Sequence, residues 1–232
     1  RLAEETGCAY HVCHVSTRES VAIIREAKRR GVDVTCETAP HYLAFTQDDL
    51  REDGRFKMNP PLRSEADRRA TIEAIADGTV DMLATDHAPH TLAEKRLGFL
   101  EAPNGIIGLE CAYGVCHKVL VDGGFISDRR LIELMATEPT KLMGHTPTDI
   151  TALLDAQQDA AHAEGSDKRV LDLRRQADGT EIGLVVLDTA RQWTVDPERF
   201  HSKARNTPFG GWQVSGRPLA TVIGPTLAFS RL

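Results

Sequence analysis

Apolar positions recur along this chain with two periods, and the alternation between them predicts its architecture. Residues 9 to 15, Ala-Tyr-His-Val-Cys-His-Val, have strand character; Ser16 or Thr17 then offers a cap for a helix with Val21, Ile24 and Ala27 on one face, ended by Gly31. Residues 32 to 36 alternate as a second strand and run into Glu37-Thr-Ala-Pro-His41. Lys57-Met-Asn-Pro-Pro-Leu-Arg63 follows a polar loop, and its paired prolines forbid a helix and hold Asn59 on a stiff connection. Ser64 with Asp67 opens a helix over residues 66 to 76, and Gly78 closes it before a short apolar run of Val80, Met82, Leu83 and Ala84. Strand, helix, strand, helix, strand implies a parallel sheet with right-handed crossovers, so all three strands deliver their last residues to one rim.

Candidate chemistry collects at that rim. The third strand runs into Asp86, His87 and His90, and Pro89 stops strand pairing there. His14 and His41 occupy the corresponding strand ends. Two imidazoles and a carboxylate suit zinc, which takes such ligands at about 2.0 to 2.2 Å. An aspartate so placed can ligate a metal, act as a base, or do both. Local reading does not say which histidine would be a ligand, and a plain cap at Asp86 with satisfied histidines stands as the simpler alternative.

Downstream, residues 98 to 108 are glycine-rich, and Pro103-Asn-Gly105 forms either a turn or a place where backbone approaches a ligand. Helices are expected over 109 to 121 and 128 to 136, with a one-turn helix from Pro139 to Gly144. Three domains follow: residues 1 to 145 as barrel-type α/β, 146 to 180 as an insertion, and 181 to 232 as a β-rich module with strands near 182 to 187, 193 to 195, 219 to 223 and 226 to 229. Residues 1 to 7 read as the tail of a helix closed by Gly7, as though the chain begins within a domain.

Composition narrows the ligand class. With 28 basic against 34 acidic side chains the net charge is -6, and no basic cluster favours nucleic acid or an anionic membrane surface. No apolar run reaches the ~20 residues of a membrane span and no signal sequence leads the chain, so a cytoplasmic protein acting on small molecules is expected. The five cysteines, odd in number and without close pairing, are expected to be reduced and mostly buried.

Three motifs in order, His11-Val-Cys-His-Val-Ser-Thr17, Lys57-Met-Asn-Pro-Pro-Leu-Arg63 and Thr85-Asp-His-Ala-Pro-His90, resemble those of class I dihydroorotases in the amidohydrolase superfamily. The match spans most of residues 8 to 144 and resumes more loosely from Glu181, including Asn206-Thr-Pro-Phe-Gly. The resemblance implies the C-terminal part of a (β/α)8 TIM barrel with a small appended β module. It further implies reversible, zinc-dependent cyclisation of N-carbamoyl-L-aspartate to L-dihydroorotate in pyrimidine biosynthesis. By resemblance, His14 ends the sixth barrel strand as a zinc ligand, and Asp86 ends the eighth as metal ligand and catalytic acid/base. Asn59 and His90 match substrate-binding positions, as does the backbone of Asn104 and Gly105, although many relatives carry phenylalanine at the first of these two. His41 matches no metal ligand and reads as structural or as supporting the site.

The remaining ligands for one or two zinc ions, and the arginine that grips the substrate carboxylate, are expected upstream of Arg1, so residues 1 to 232 alone are expected to be inactive. The expected partners are the small-molecule substrate and either a second copy of the chain or aspartate transcarbamoylase. Two alternatives compete: a neighbouring cyclic-amide hydrolase of dihydropyrimidinase or allantoinase type, which His90 and Asn59 argue against, and a metal-free dihydroorotase-like scaffold subunit, which an intact His14 and Asp86 argue against.

Overall fold

The computed structural model describes residues 1 to 155 and 182 to 231. They form two compact units, residues 1–139 with 192–215, and residues 140–191 with 216–232. This division runs differently from the boundaries expected from sequence. Residues 192 to 215 belong to the first unit because Trp193, Val195, Phe209 and Val214 pack in its core. Most of the expected insertion, residues 156 to 180, lies outside the described residues.

The first unit begins with α1 (Leu2–Thr6), closed by Gly7 at φ 70°. The alternation then unfolds as expected: β1 (Tyr10–Val12), α2 (Arg18–Arg29), β2 (Val34–Thr38), a short α3 (Pro40–Ala44), α4 (Glu65–Ala76) and β3 (Met82–Leu83). The strands lie side by side in chain order and parallel, with His11 opposite Thr35, Val12 opposite Cys36, Glu37 opposite Met82 and Thr38 opposite Leu83. Register divides the two faces. Val12, Cys36 and Leu83 turn toward Val21 and Ile24 of α2 and Ile72 and Ile75 of α4, forming one core. His11, Thr35 and Glu37 therefore share the opposite face, because side chains alternate along each strand.

Beyond the sheet come α5 (Leu92–Lys95), α6 (Gly98–Glu101) and α7 (Ala112–Cys116), the last continuing as a π-helical turn over His117–Val121. The helix expected from residue 109 starts later, at Ala112; Leu109 N–H goes to His87 Nδ1 at 3.3 Å, and the Glu110 carboxylate accepts the backbone N–H groups of His201 and Ser202 at 2.8 and 2.9 Å. Next, α8 (Asp128–Ile132) passes through a second π-helical turn, Glu133–Thr137, into α9 (Glu138–Leu142), so Pro139 does not open a separate turn. A second core joins Phe45, Phe209 and Trp212, whose ring centroids lie 5.2 to 5.4 Å apart. There Gly114 is needed for close approach: a Cβ would meet Val214 Cγ2 at 2.7 Å.

The strands of the C-terminal part are ordered β4 (Gly183–Thr194), β5 (Gln213–Ile223) and β6 (Thr226–Ser230). The separate runs expected near residues 182 to 187 and 193 to 195 are one strand. Between them Asp188, Thr189, Arg191 and Gln192 break the apolar pattern while the backbone stays extended. β5 and β6 pair antiparallel around Gly224 and Pro225, with an irregularity between Thr221 and Val222. No helix among the described residues is long and apolar enough to cross a membrane.

Asp67 joins two helix starts in the first unit. Its Oδ2 accepts the Ser64 backbone N–H at 3.2 Å and hydroxyl at 2.5 Å, completing the box at the head of α4. Its Oδ1 accepts the first N–H of α2, from Arg18, at 3.1 Å. Burial opposes the charge, yet these donors hold the carboxyl below its ordinary range. Asp67→Ala is therefore expected to lose about 2 kcal/mol in urea denaturation at neutral pH, more than Ser64→Ala at about 1 kcal/mol, because it strands donors at two helix ends. Since the folded pKa is depressed, this contribution should be complete above the ordinary carboxylate pKa and vanish as pH falls through the folded value.

Candidate metal centre and substrate cradle

The rim is built where regular strand ends. Past β1 the chain turns at His14, φ 56°, while Val15 N–H returns to Glu37 O at 2.9 Å and Thr38 Oγ1 donates to Val15 O at 2.7 Å. Past β3, Ala84 N–H bonds Thr38 O at 3.0 Å before the chain turns at Asp86, φ 46°. These are the only non-glycine residues with positive φ among the described residues. The left-handed region costs an ordinary residue about 1 to 2 kcal/mol, so the surrounding contacts must hold both turns in place.

The turns bring the two side chains together. His14 Nε2 lies 3.5 Å from Asp86 Oδ1. Two ligands on one tetrahedral zinc, with bonds of about 2.0 to 2.2 Å, would sit about 3.4 Å apart. The other ring nitrogen, Nδ1, lies 2.8 Å from Glu37 Oε1, without hydrogen-bond alignment, while the same oxygen accepts His14 backbone N–H at 2.7 Å. A carboxylate behind a histidine is the usual support of a metal-bound imidazole. Glu37 is 2% exposed and its Oε2 has no partner; burial raises its pKa. The donor set and the orphaned buried oxygen both fit a cation at this rim.

Sequence reasoning missed Glu37. The signal available was a charged residue at an inward position of a buried strand, level with the end of β1. Nor did it foresee that the ligand atoms of His11, Cys13 and Glu37 lie within 4.8 Å of one another, a second mixed donor set on the same face. His11 Nδ1 pairs with Thr35 Oγ1 at 2.8 Å. Cys13 and Cys8 are exposed while Cys36, Cys111 and Cys116 are buried, and all five are free thiols. Burial and the Glu37 charge raise the Cys13 pKa.

His41 sits in α3, 1% exposed, edge-on to Tyr42 at 4.2 Å. Burial first, and then the charge of His14, push its pKa down to about 3, so it is neutral at physiological pH. It ends no strand as a ligand would. The placement matches a structural role rather than the rim position suggested by local reading.

The expected substrate residues gather in a separate set of loops. His90 Nε2 donates to Asn104 O at 2.8 Å. Gly105 N–H donates to Lys57 O at 2.9 Å, two residues before the exposed Asn59. Gly105 has φ 117°, and a Cβ there would meet Ala88 Cβ at 2.5 Å, so only glycine fits. Asn206, 3% exposed, binds the loops together: Oδ1 accepts His90 N–H at 3.3 Å, and Nδ2 donates to Ala88 O and Gly105 O, both at 3.2 Å. His87 faces the same strip. Its Nδ1 accepts Gly108 and Leu109 N–H, both at 3.3 Å, which leaves the ring proton on Nε2 when it is neutral.

No family model matches the chain. Among curated proteins, a dihydroorotase of Geobacillus sp. is 40% identical over 231 residues, and one of Bacillus caldolyticus is 41% identical over 231 residues. Each alignment covers 99% of this chain and 48% of the relative. Among solved structures, the L-hydantoinase (dihydropyrimidinase) of Arthrobacter aurescens superposes with TM-score 0.79 at 31% identity, covering 99% of this chain and 47% of that one. The dihydropyrimidinase of Brevibacillus agri, TM-score 0.79 at 23% identity, shares the fold. Along its whole length the chain is thus similar to dihydroorotases, and it spans about half the length of the curated relatives it matches. Its mixed α/β fold is that of the matching portions of amidohydrolases.

Because Asp86 is held in the left-handed region, backbone shape should decide its tolerance of substitution without metal. Asp86→Gly is expected to keep stability within about 1 kcal/mol of the parent, whereas Asp86→Val, β-branched, should lose about 2 kcal/mol or more. Equal thermal midpoints for the two variants would show that the turn is not strained.

Proposed function

We propose that this chain supplies one part of the (β/α)8 barrel of a zinc-dependent dihydroorotase, which interconverts L-dihydroorotate and N-carbamoyl-L-aspartate in pyrimidine synthesis. The whole-length match to dihydroorotases at about 40% identity carries the reading, and the rim geometry supports it. His14 and Asp86 would hold the ion, with Glu37 fixing the His14 ring. Bound there, zinc would supply a Lewis acid and a nucleophile at neutral pH.

The chain's own residues account for the rest. In ring opening, the attacking water oxygen bonds to the amide carbon and the carbon–nitrogen bond breaks. Asp86 takes the proton from the water and delivers it to the leaving ring nitrogen; in cyclisation it moves the proton in reverse. Asn59, the backbone at Asn104 and His90 bind the substrate carboxylate, His90 through the Nδ1–H of the protonated ring because its Nε2–H is held by Asn104 O. Leaving such donors unpaired penalises a substrate that lacks the group. A cyclic-amide hydrolase of hydantoinase type is the second reading, favoured by the 31% identity to an L-hydantoinase.

Turnover assays on the zinc-loaded complete enzyme, with this segment joined to the upstream part of its barrel, test both readings. Asp86→Asn should reduce the rate about 10² to 10⁴-fold in each direction, and retention of half the parental rate would remove Asp86 as proton carrier. His90→Ala should raise KM for dihydroorotate far more than for dihydrouracil, the same ring without the carboxylate. Parent protein that prefers hydantoin or dihydrouracil to dihydroorotate would favour the hydantoinase reading.

A further inference from the structure

Lys95 is the buried cation nearest the substrate loops that the proposed reaction leaves unused. It is 4% exposed, at the end of α5, and its ammonium donates to Pro103 O and Gly105 O, both at 2.8 Å, and reaches Lys57 O at 3.5 Å. Three carbonyls thus meet three protons. Gly54 lets the chain close over it, since a Cβ there would meet Lys95 O at 2.5 Å. A lysine is almost never fully buried without a partner, and among the described residues no carboxylate bonds it; its acceptors there are all peptide oxygens.

The tip that these carbonyls belong to has few groups left. Pro103 O accepts from Lys95, Asn104 O from His90, and Gly105 O from Lys95 and Asn206. Gly105 N–H is spent on Lys57 O. The Asn104 N–H makes no hydrogen bond among the described residues, and Asn104 is exposed. That N–H shares one peptide plane with Pro103 O. A cation on the carbonyl end draws electron density toward oxygen and strengthens the N–H as a donor, as in any polarised hydrogen-bond chain.

We infer that Lys95 is a positioning residue which, through the Pro103–Asn104 peptide, makes the Asn104 N–H the donor for a carboxylate of the substrate. The inference rests on the proposed substrate class but concerns an atom that can be observed directly. Lys95 touches no ligand itself. It fixes the tip against the loop of Asn59 and places positive charge one peptide away from the anion. Burial, then the repulsion of Lys57, lower its pKa to about 8, with Asp53 opposing. The ionisable groups acting on Lys95 are Lys57 and Asp53, and His90, which bonds the tip, has Glu94 beside it. Because the folded pKa is depressed, the ammonium is lost from the folded protein as pH rises through about 8, well before an unfolded lysine would lose it.

The test follows the Asn104 amide by NMR in the protein and in Lys95→Met, which keeps length and removes charge. Acetate, a carboxylate with nothing else, is the probe. In the parent at pH 7 acetate should shift the Asn104 amide, with affinity falling about fivefold in Lys95→Met, the scale of one weakened charged hydrogen bond. In the unmutated protein the same response should weaken as pH passes from 7 to 9, which tests the inference without any variant. An acetate response unchanged by both the substitution and the pH change overturns it. A response at Asn104 with no turnover of dihydroorotate by the complete enzyme, this segment joined to the upstream part of its barrel, would keep the role of Lys95 and reject the proposed reaction.

Discussion

A carboxylate buried beneath an imidazole, Glu37 against His14, sets the geometry of the rim. Glu37 lies on the inner face of β2 at 2% exposure, where an unpartnered charge would be costly. Its partners are the backbone N–H and ring of His14, and both depend on β1 and β2 pairing in one register. A slip of one residue would turn Glu37 into the helix-packed core and leave His14 unsupported. The same register carries Val12 and Cys36 into the opposite core, so packing on one face fixes chemistry on the other. Apolar burial holds the sheet, and the sheet holds the carboxylate under the ring.

The alternation of strands and helices was legible because it rests on local signals. Thr17 caps α2, the Ser64 and Asp67 box opens α4, and glycines close both helices or follow them directly. His14 and Asp86 were legible as strand-end groups, and the structure sets them 3.5 Å apart. What escaped was non-local or masked by exposure. Glu37 looks like any strand residue until register places it opposite the end of β1. The continuity of β4 was hidden because residues 188 to 192 carry no apolar alternation, although ladder hydrogen bonds need none. Before α7, Glu110 binds a segment 91 residues further along, a contact which no window of sequence contains.

The substrate loops show the same limit in another form. Asn206 lies 116 residues from His90 and 101 from Gly105, yet its one amide group orients both. Its three hydrogen bonds use a side chain that can donate and accept at once, which a lysine or an aspartate in that place could not do. Lys95 acts differently. It offers donors alone, and it gathers carbonyls from two loops that would otherwise face one another across a buried gap. An amide sets direction, and an ammonium sets charge.

These two devices explain why loops can hold chemistry here without the rigidity of a strand. The candidate metal rim takes its precision from the sheet, at the cost of two residues in the left-handed region. Among the described residues the cradle has no sheet beneath it beyond a single parallel bridge between His87 and Ile106. Its order comes from saturation: at residues 103 to 105 every carbonyl is occupied, and one amide is engaged by Lys57. A segment so fully hydrogen-bonded has few alternative conformations to visit, so an anion of the proposed substrate would meet a donor already in place and lose little ordering entropy on binding. Strain concentrates where an ion would be held, and saturation concentrates where a carboxylate would be read.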